Sequence, residues 1–304
     1  MHQRALALIL VALGVATIPF SREARAATGR VTVDVAGQKR TATLIEFGRL
    51  KRTPRTTIIV LRGASPRVRG ASTDRRGGIG LSPVVRNTGA LIVYPDALDQ
   101  KWALDQGGSD DPGFIRSLAS KLVADGLADK RRIFLAGVST GGVLALRIAC
   151  EGADYLAGVS VMIANMPEKM APTCKPAKPL ALMVMNGTAD PLMPWQGGTA
   201  SLANFRDSVV STDATMAPFA MAASCGPERT KQEAPDRDPA DGSRVIFERL
   251  NGCKVPVELA RVDGGGHTLP GRPARADRGV VVGAQNNDVN TPRVLWDFVQ
   301  RVIH

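Results

Sequence analysis

The sequence predicts an α/β fold in which helices cover both faces of a mostly parallel sheet. Two observations lead there. Short β-branched runs alternate with segments of helical period, and most of these runs are apolar at every position rather than at every second one. Strands of that kind are buried on both faces, as in parallel sheets covered by crossover helices. A third observation narrows the class: one such run leads straight into Gly137-Val138-Ser139-Thr140-Gly141 and then into a helix. With 304 residues, 44% of them hydrophobic, the chain can build this core as one domain.

The first segment stands outside that core. Residues 1–4 carry a positive charge, residues 5–20 are apolar, and Ala24-Arg25-Ala26 offers small residues where signal peptidase cuts. Residues 1–26 therefore read as a cleaved secretory leader, with the mature chain starting at Ala27 and forming a single α/β domain over residues 27–304. The alternative is an uncleaved anchor, but the run is short and contains Gly14 and Pro19. No later segment is apolar over enough length to span a bilayer, so no membrane association is expected after cleavage.

The core elements follow in order. Residues 30–36 and 41–47 alternate apolar and polar residues and read as an antiparallel pair turning at Gly37-Gln38. Residues 56–61 and 90–94 are continuous β-branched runs, ended by Gly63 and Pro95. Residues 111–124 have helical spacing, with Phe114, Ile115, Leu118 and Leu122 on one face. The strand at 132–136 precedes the Gly-x-Ser-x-Gly turn, and residues 141–150 form the helix behind it. Strands at 159–164, 180–185 and 257–262 and an amphipathic helix at 291–303 complete the series. Residues 191–243 read as loops or a small cap, and residues 264–290 as a second loop-rich stretch.

Charge and cysteine usage exclude several function classes. The net charge is +11, and removing the leader takes away three arginines and one glutamate to leave +9. Much of the excess lies in a basic strip at 49–86, which reads as a solvated surface or as an attraction to anionic surfaces or acidic substrates. Only 4% of residues are aromatic and no recognition motif occurs, so no nucleic acid is expected as a partner. Gly77-Gly78-Ile79-Gly80 does not follow a strand, and no phosphate loop is present. Four cysteines in an exported chain imply disulfides and allow three pairings. Closing the short loops in order gives the preferred one, Cys150 with Cys174 and Cys225 with Cys253. No Cys-x-x-Cys occurs and histidines are nearly absent, so neither zinc nor another metal or organic cofactor is implied.

The chemistry concentrates around Ser139. A strand, Gly-x-Ser-x-Gly and a helix in succession form a nucleophile elbow, which lifts the serine hydroxyl to the carboxyl edge of the sheet. A hydroxyl is a weak nucleophile and needs a base held by a carboxylate. Among three histidines, His2 falls in the leader and His304 is the last residue, which leaves His267 as the base. The acid is Asp190, after the strand at 180–185; Asp263 competes but precedes the Gly264-Gly265-Gly266 turn. Backbone amides of Thr140 and Ala64 are the candidate oxyanion donors, the second from the loop after residues 56–61.

A resemblance extends this reading. Val93-Tyr94-Pro95-Asp96, Trp102, Asp111-Pro112-Gly113-Phe114, the elbow, Asn186-Gly187-Thr188-Ala189-Asp190-Pro191, Gly197-Gly198, residues 264–271 and Leu295-Trp296-Asp297-Phe298 follow one another over about residues 56–303. In this order they resemble the polyhydroxybutyrate depolymerase and feruloyl esterase-like family of secreted α/β hydrolases. The resemblance implies a triad of Ser139, Asp190 and His267 acting on carboxylic esters: hydroxyalkanoate oligomers first, with feruloyl or acetyl-xylan ester hydrolysis as the alternative. The chain departs from the family pattern in three places: Arg62-Gly63 where His-Gly is usual, Leu269 where Trp often follows His-Thr, and a shortened, Gly- and Arg-rich segment between Gly70 and Gly89. A reading from another class is a non-catalytic binding protein on a hydrolase scaffold, drawn to anionic surfaces by the basic strip. The sequence leaves oligomeric state open.

Overall fold

A computed structural model describes residues 26–47, 54–64, 79–104, 109–202, 205–272 and 281–304. Its main sheet has ten strands: β1 (Ala26–Val35), β2 (Gln38–Phe47), β3 (Arg55–Leu61), β4 (Leu91–Pro95), β5 (Ala128–Val138), β6 (Gly158–Met162), β7 (Ala181–Gly187), β10 (Arg229–Glu233), β11 (Arg244–Leu250) and β12 (Val257–Asp263). Their spatial order is β1-β2-β4-β3-β5-β6-β7-β12-β11-β10. The six central strands, β4 through β12, pair in parallel. The pairs at the two edges are antiparallel. A separate hairpin joins β8 (Gly198–Leu202) to β9 (Phe205–Val209).

The described residues also form five α-helices: α1 (Ser82–Val85), α2 (Asp111–Ala124), α3 (Thr140–Cys150), α4 (Thr212–Ala222) and α5 (Thr291–Ile303). Alternate side chains of each central strand enter opposite cores, because successive Cβ atoms point to opposite faces. On one face Ile59, Leu61, Leu135, Val159 and Val184 pack with Phe114 and Leu118 of α2 and Leu144 of α3. On the other, Ile58, Val60, Phe134, Met183 and Met185 pack with Leu295, Phe298 and Val299 of α5. This two-sided burial is the reason the central runs are apolar throughout, and the architecture is the α/β-hydrolase fold.

Two regions carry more regular structure than their composition suggests. The stretch at 191–243 contains the β8–β9 hairpin, α4 and β10, and β11 follows directly as a strand the sequence reading passes over. Residues of β10 are mostly exposed, and β11 buries only Val245 and Glu248. Neither therefore shows a clear apolar period, and their pairing onto β12 is decided by the sheet edge. Residues 1–25 of the leader, seven of the ten basic residues of the strip at 49–86 and residues 70–78 of the shortened segment lie outside the described residues, while residues 82–85 of that segment form α1. Ala26 opens β1 opposite Phe47. Of the strip's arginines, Arg55 is buried and pairs with Glu46 at 2.8 Å.

The disulfides join Cys150 to Cys174 and Cys225 to Cys253, the first fastening the end of α3 to the loop before β7. A buried ion pair fastens the other side of the sheet. Arg40 of β2 reaches Asp111 at the start of α2 at 2.7 Å, with both side chains almost fully enclosed. The second Asp111 oxygen accepts the Ala103 amide at 2.7 Å, and the Arg40 guanidinium lies 4.3 Å from the centre of the Phe114 ring. Asp96 accepts Arg30 and Thr41 side chains nearby. The Val93-Tyr94-Pro95-Asp96 and Asp111-Pro112-Gly113-Phe114 segments are thus clamps between the β1–β2–β4 edge and α2.

Removing one partner of such a pair strands the other charge in the core. Asp111→Ala is expected to destabilise the protein by about 3–5 kcal/mol in urea unfolding. A loss below about 1 kcal/mol would mean that Arg40 finds water or another acceptor once the carboxylate is gone.

Candidate active site

Ser139 stands between β5 and α3 with φ of 54° and ψ of −121°, a conformation that non-glycine residues rarely adopt. The turn is tight because backbone segments touch there. A Cβ at Gly137 would fall 2.3 Å from the Gly141 carbonyl oxygen, and one at Gly141 would fall 2.3 Å from the Leu61 oxygen. Gly142 is closed in as well, 2.6 Å from the Ala164 Cβ by the same construction. The Ser139 amide donates to the Met162 carbonyl at 2.9 Å, which ties the turn to β6. Its own carbonyl accepts from Gly142 and Val143, starting α3. Thr140 is the first residue of that helix, so its amide is one of the donors a helix leaves without an intrahelical partner.

The three polar side chains expected at the site meet. Ser139 Oγ lies 2.9 Å from His267 Nε2, and His267 Nδ1 lies 2.7 Å from Asp190 Oδ2. A carboxylate only accepts, so Nδ1 carries the proton and Nε2 is left as an acceptor for the serine hydroxyl. The other Asp190 oxygen accepts the Leu192 and Met193 amides, each at 2.8 Å. Asp190 and His267 expose 2% and 9% of their side chains, so the hydrogen bond between them is shielded from water. Asp263, the competing acid, is exposed and accepts the Thr188 hydroxyl at 3.1 Å instead.

Glycines bring the acid and histidine loops into contact. The Ala189 amide donates to the Gly265 carbonyl at 3.0 Å, and a Cβ at Gly187 would sit 2.2 Å from that same oxygen. On the far side, Gly266 and His267 donate their amides to the carbonyls of Ala284 and Val282. The Thr268 hydroxyl also donates to the Ala284 carbonyl, at 2.9 Å. The segment at 281–290 thus backs the histidine, and it is fixed in turn by Asn286, whose amide group donates to Ser243 and Asp288.

A buried amide network supports the acid loop. Asn186 at the end of β7 accepts the Ala164 amide and donates to the Ala164 carbonyl, to Asn165 and to the Thr212 hydroxyl, at 2.9 to 3.1 Å. Asn165 donates to the Pro194 carbonyl at 2.8 Å, and Thr215 accepts the Met166 amide at 2.9 Å. Asn165, Thr212 and Thr215 are absent from the sequence-derived site. The available signal is Asn186 itself, a polar residue closing a strand that is buried at every position.

Gly63, after β3, faces Ser139: a Cβ built on it would lie 3.2 Å from Ser139 Cβ and 3.8 Å from Oγ. This brings the Arg62-Gly63-Ala64 loop beside the serine. Among the described residues, no cluster of His, Cys, Asp and Glu forms a metal site.

No family model matches the sequence. Among curated proteins, the chain is 27% identical over 269 residues to a putative esterase, NocK, of Nocardia uniformis subsp. tsuyamanensis, covering 81% of this chain and 74% of that protein. It is 27% identical to feruloyl esterase D of Neurospora crassa over 74% of this chain and 68% of the other. Similarity to feruloyl esterase B of Piromyces equi is 24% over 66% of this chain, and this match spans only 38% of the fungal protein. A solved structure of a thermostable esterase superposes with a TM-score of 0.50 at 14% identity, covering 64% of this chain and 52% of the other, a likeness of fold.

Truncating Asn186 strands several buried groups at once, each costing about 1–3 kcal/mol. Asn186→Ala is therefore expected to lower stability by at least ~2 kcal/mol in chemical denaturation. A change within about 0.5 kcal/mol would show that the network is not a support.

Proposed function

We propose that this chain is a secreted serine esterase that works through an acyl-enzyme on Ser139. It is a carboxylic-ester hydrolase, as its esterase and feruloyl esterase relatives indicate. The observation that carries the mechanism is the bridging imidazole, 2.9 Å from Ser139 Oγ on one side and 2.7 Å from Asp190 on the other.

In this reading His267 Nε2 takes the hydroxyl proton as Ser139 Oγ attacks the ester carbonyl. Asp190 holds the Nδ1–H tautomer and stabilises the imidazolium that results. The oxyanion is held by the Thr140 and Ala64 amides, an arrangement worth several kcal/mol because the donors are oriented before charge develops. The imidazolium then protonates the departing alkoxide, which leaves as the alcohol. Water attacks the acyl-enzyme with His267 again as base, and the acid and free Ser139 are regenerated. Each step needs only the three side chains and two amides.

For the substrate we propose hydroxycinnamoyl or related acyl esters, because several relatives are named feruloyl esterases. Hydroxyalkanoate oligomers are the second reading, favoured by the ordered motifs from Val93 to Phe298. Export is supported by the leader-like residues 1–26 and by two disulfides, which persist in oxidising compartments.

Ser139→Ala is expected to reduce hydrolysis of p-nitrophenyl acetate and butyrate to background, and to abolish labelling by a fluorophosphonate probe. Asp190→Asn is expected to lower kcat by ~10⁴, since the tautomer is lost while the geometry stays. Wild-type turnover no faster than Ser139→Ala would favour a binding protein on a hydrolase scaffold. Parallel assays on methyl ferulate and hydroxybutyrate oligomers decide the acyl group: a higher kcat/KM on the oligomers overturns the hydroxycinnamoyl assignment.

A further inference from the structure

The loop beside Ser139 is fixed by its own arginine. Arg62 is almost wholly enclosed, 6% exposed, although it follows β3 at the carboxyl edge of the sheet. Its guanidinium folds back along the chain. Nη1 donates to the Gly63 carbonyl at 3.1 Å and Nη2 to the Gln100 carbonyl at 3.0 Å. The backbone of the same residue is held independently: the Trp102 indole N–H donates to the Arg62 carbonyl at 2.9 Å, and that oxygen packs against Gly141 of the elbow.

The Gly63 carbonyl belongs to the same peptide unit as the Ala64 N–H. In a planar trans peptide the two point in opposite directions, so a group that fixes the carbonyl also fixes the amide. Gly63 imposes little restriction on its own torsions, and the peptide that follows it would otherwise be free to rotate. The Gln100 carbonyl, the other anchor, lies in a turn where Asp99 and Gln100 take φ of 45° and 63°, two successive left-handed residues that are not glycine. Such backbone persists only where surrounding contacts hold it. A two-pronged planar cation meets both requirements, as it donates to two acceptors in a fixed geometry.

We propose that Arg62 is a positioning residue for ester hydrolysis: by bridging the Gly63 and Gln100 carbonyls it holds the Gly63–Ala64 peptide with the Ala64 amide toward the developing oxyanion. This rests on the acyl-enzyme reading above. Arg62 also lines a cavity of about 290 Å³ bounded by Arg30, Lys39, Arg40, Asp96 and Gln100. A small guanidinium can therefore reach the position its side chain occupies.

The test compares wild type with Arg62→Lys, Arg62→Gln and Arg62→Ala on p-nitrophenyl butyrate, with fluorophosphonate labelling of Ser139 as the check on the nucleophile. A misdirected donor weakens transition-state binding alone, so kcat should fall about tenfold to a hundredfold while KM stays within about threefold. Affinity for a trifluoromethyl ketone should fall in step with kcat/KM across the series. Ethylguanidinium should restore part of the kcat of Arg62→Ala, and ethylammonium at the same concentration should not. Unchanged kcat, a loss carried by KM, or equal rescue by both cations overturns the proposal while leaving the labelled Ser139 and the acyl-enzyme reading intact. An unlabelled wild-type Ser139 overturns that reading, and the proposal with it. If the Arg62 variants do not accumulate folded, they are produced in the presence of ethylguanidinium. Dilution of the cation from folded Arg62→Ala should then lower kcat about tenfold or more with KM unchanged, and an unaltered kcat on dilution counts against the proposal.

Discussion

At Gly137 and Gly141 the backbone of the β5–α3 turn runs so close to β3 and to its own continuation that no side chain fits, with a Cβ on either falling 2.3 Å from a carbonyl oxygen. That crowding forces Ser139 into its left-handed conformation and sets the direction of its hydroxyl. It also brings the Leu61 and Arg62 carbonyls against the elbow, so the loop after β3 has to pass beside the serine. The strain at Ser139 is tolerable because β5 is paired on both sides and its amide is bonded to β6. The acid loop, the histidine loop and the candidate oxyanion loop are all arranged around this fixed point.

Close backbone contact recurs at the other two loops of the site. Gly187 against Gly265, and Gly266 against residues 282–283, place the acid and histidine loops within hydrogen-bonding distance of one another. Side chains then fix what the glycines allow. Asn186 locks the ends of β6 and β7 to α4, and Asp190 is saturated by two amides and the imidazole. The candidate catalytic residues are thus held by a shell of backbone carbonyls and buried amides, an environment that would keep the dipoles in place as charge moves. Arg62 fits the same scheme, a cation serving two carbonyls within the loop.

The sequence makes the central sheet and the candidate triad legible because each leaves a local mark. Runs such as Thr57-Ile58-Ile59-Val60-Leu61 can be buried only on both faces, and a single internal histidine leaves one base for Ser139. The edge strands β10 and β11 leave no such mark, since their exposed faces relax the requirement for apolar residues. The support network is invisible for another reason. Asn165, Thr212 and Thr215 are ordinary polar residues in sequence and become a unit only where β6, β7 and α4 converge.

By itself the sequence determined the α/β class, the order of the core strands, the elbow and the identity of the candidate nucleophile, base and acid. Those features depend on period, on glycine spacing and on the scarcity of histidine, all of which are local properties of the chain. Only the tertiary structure showed the distances, with Asp190 2.7 Å from His267 Nδ1 and Asp263 accepting from Thr188 instead, and only it showed that the conspicuous Arg62 turns back onto its own loop. Both outcomes hang on distances between segments far apart in sequence: Asp190 lies 77 residues from His267, and Arg62 reaches across 38 residues to Gln100. No local pattern encodes such distances, because they are set by how β3, β5, β7 and β12 align in one sheet.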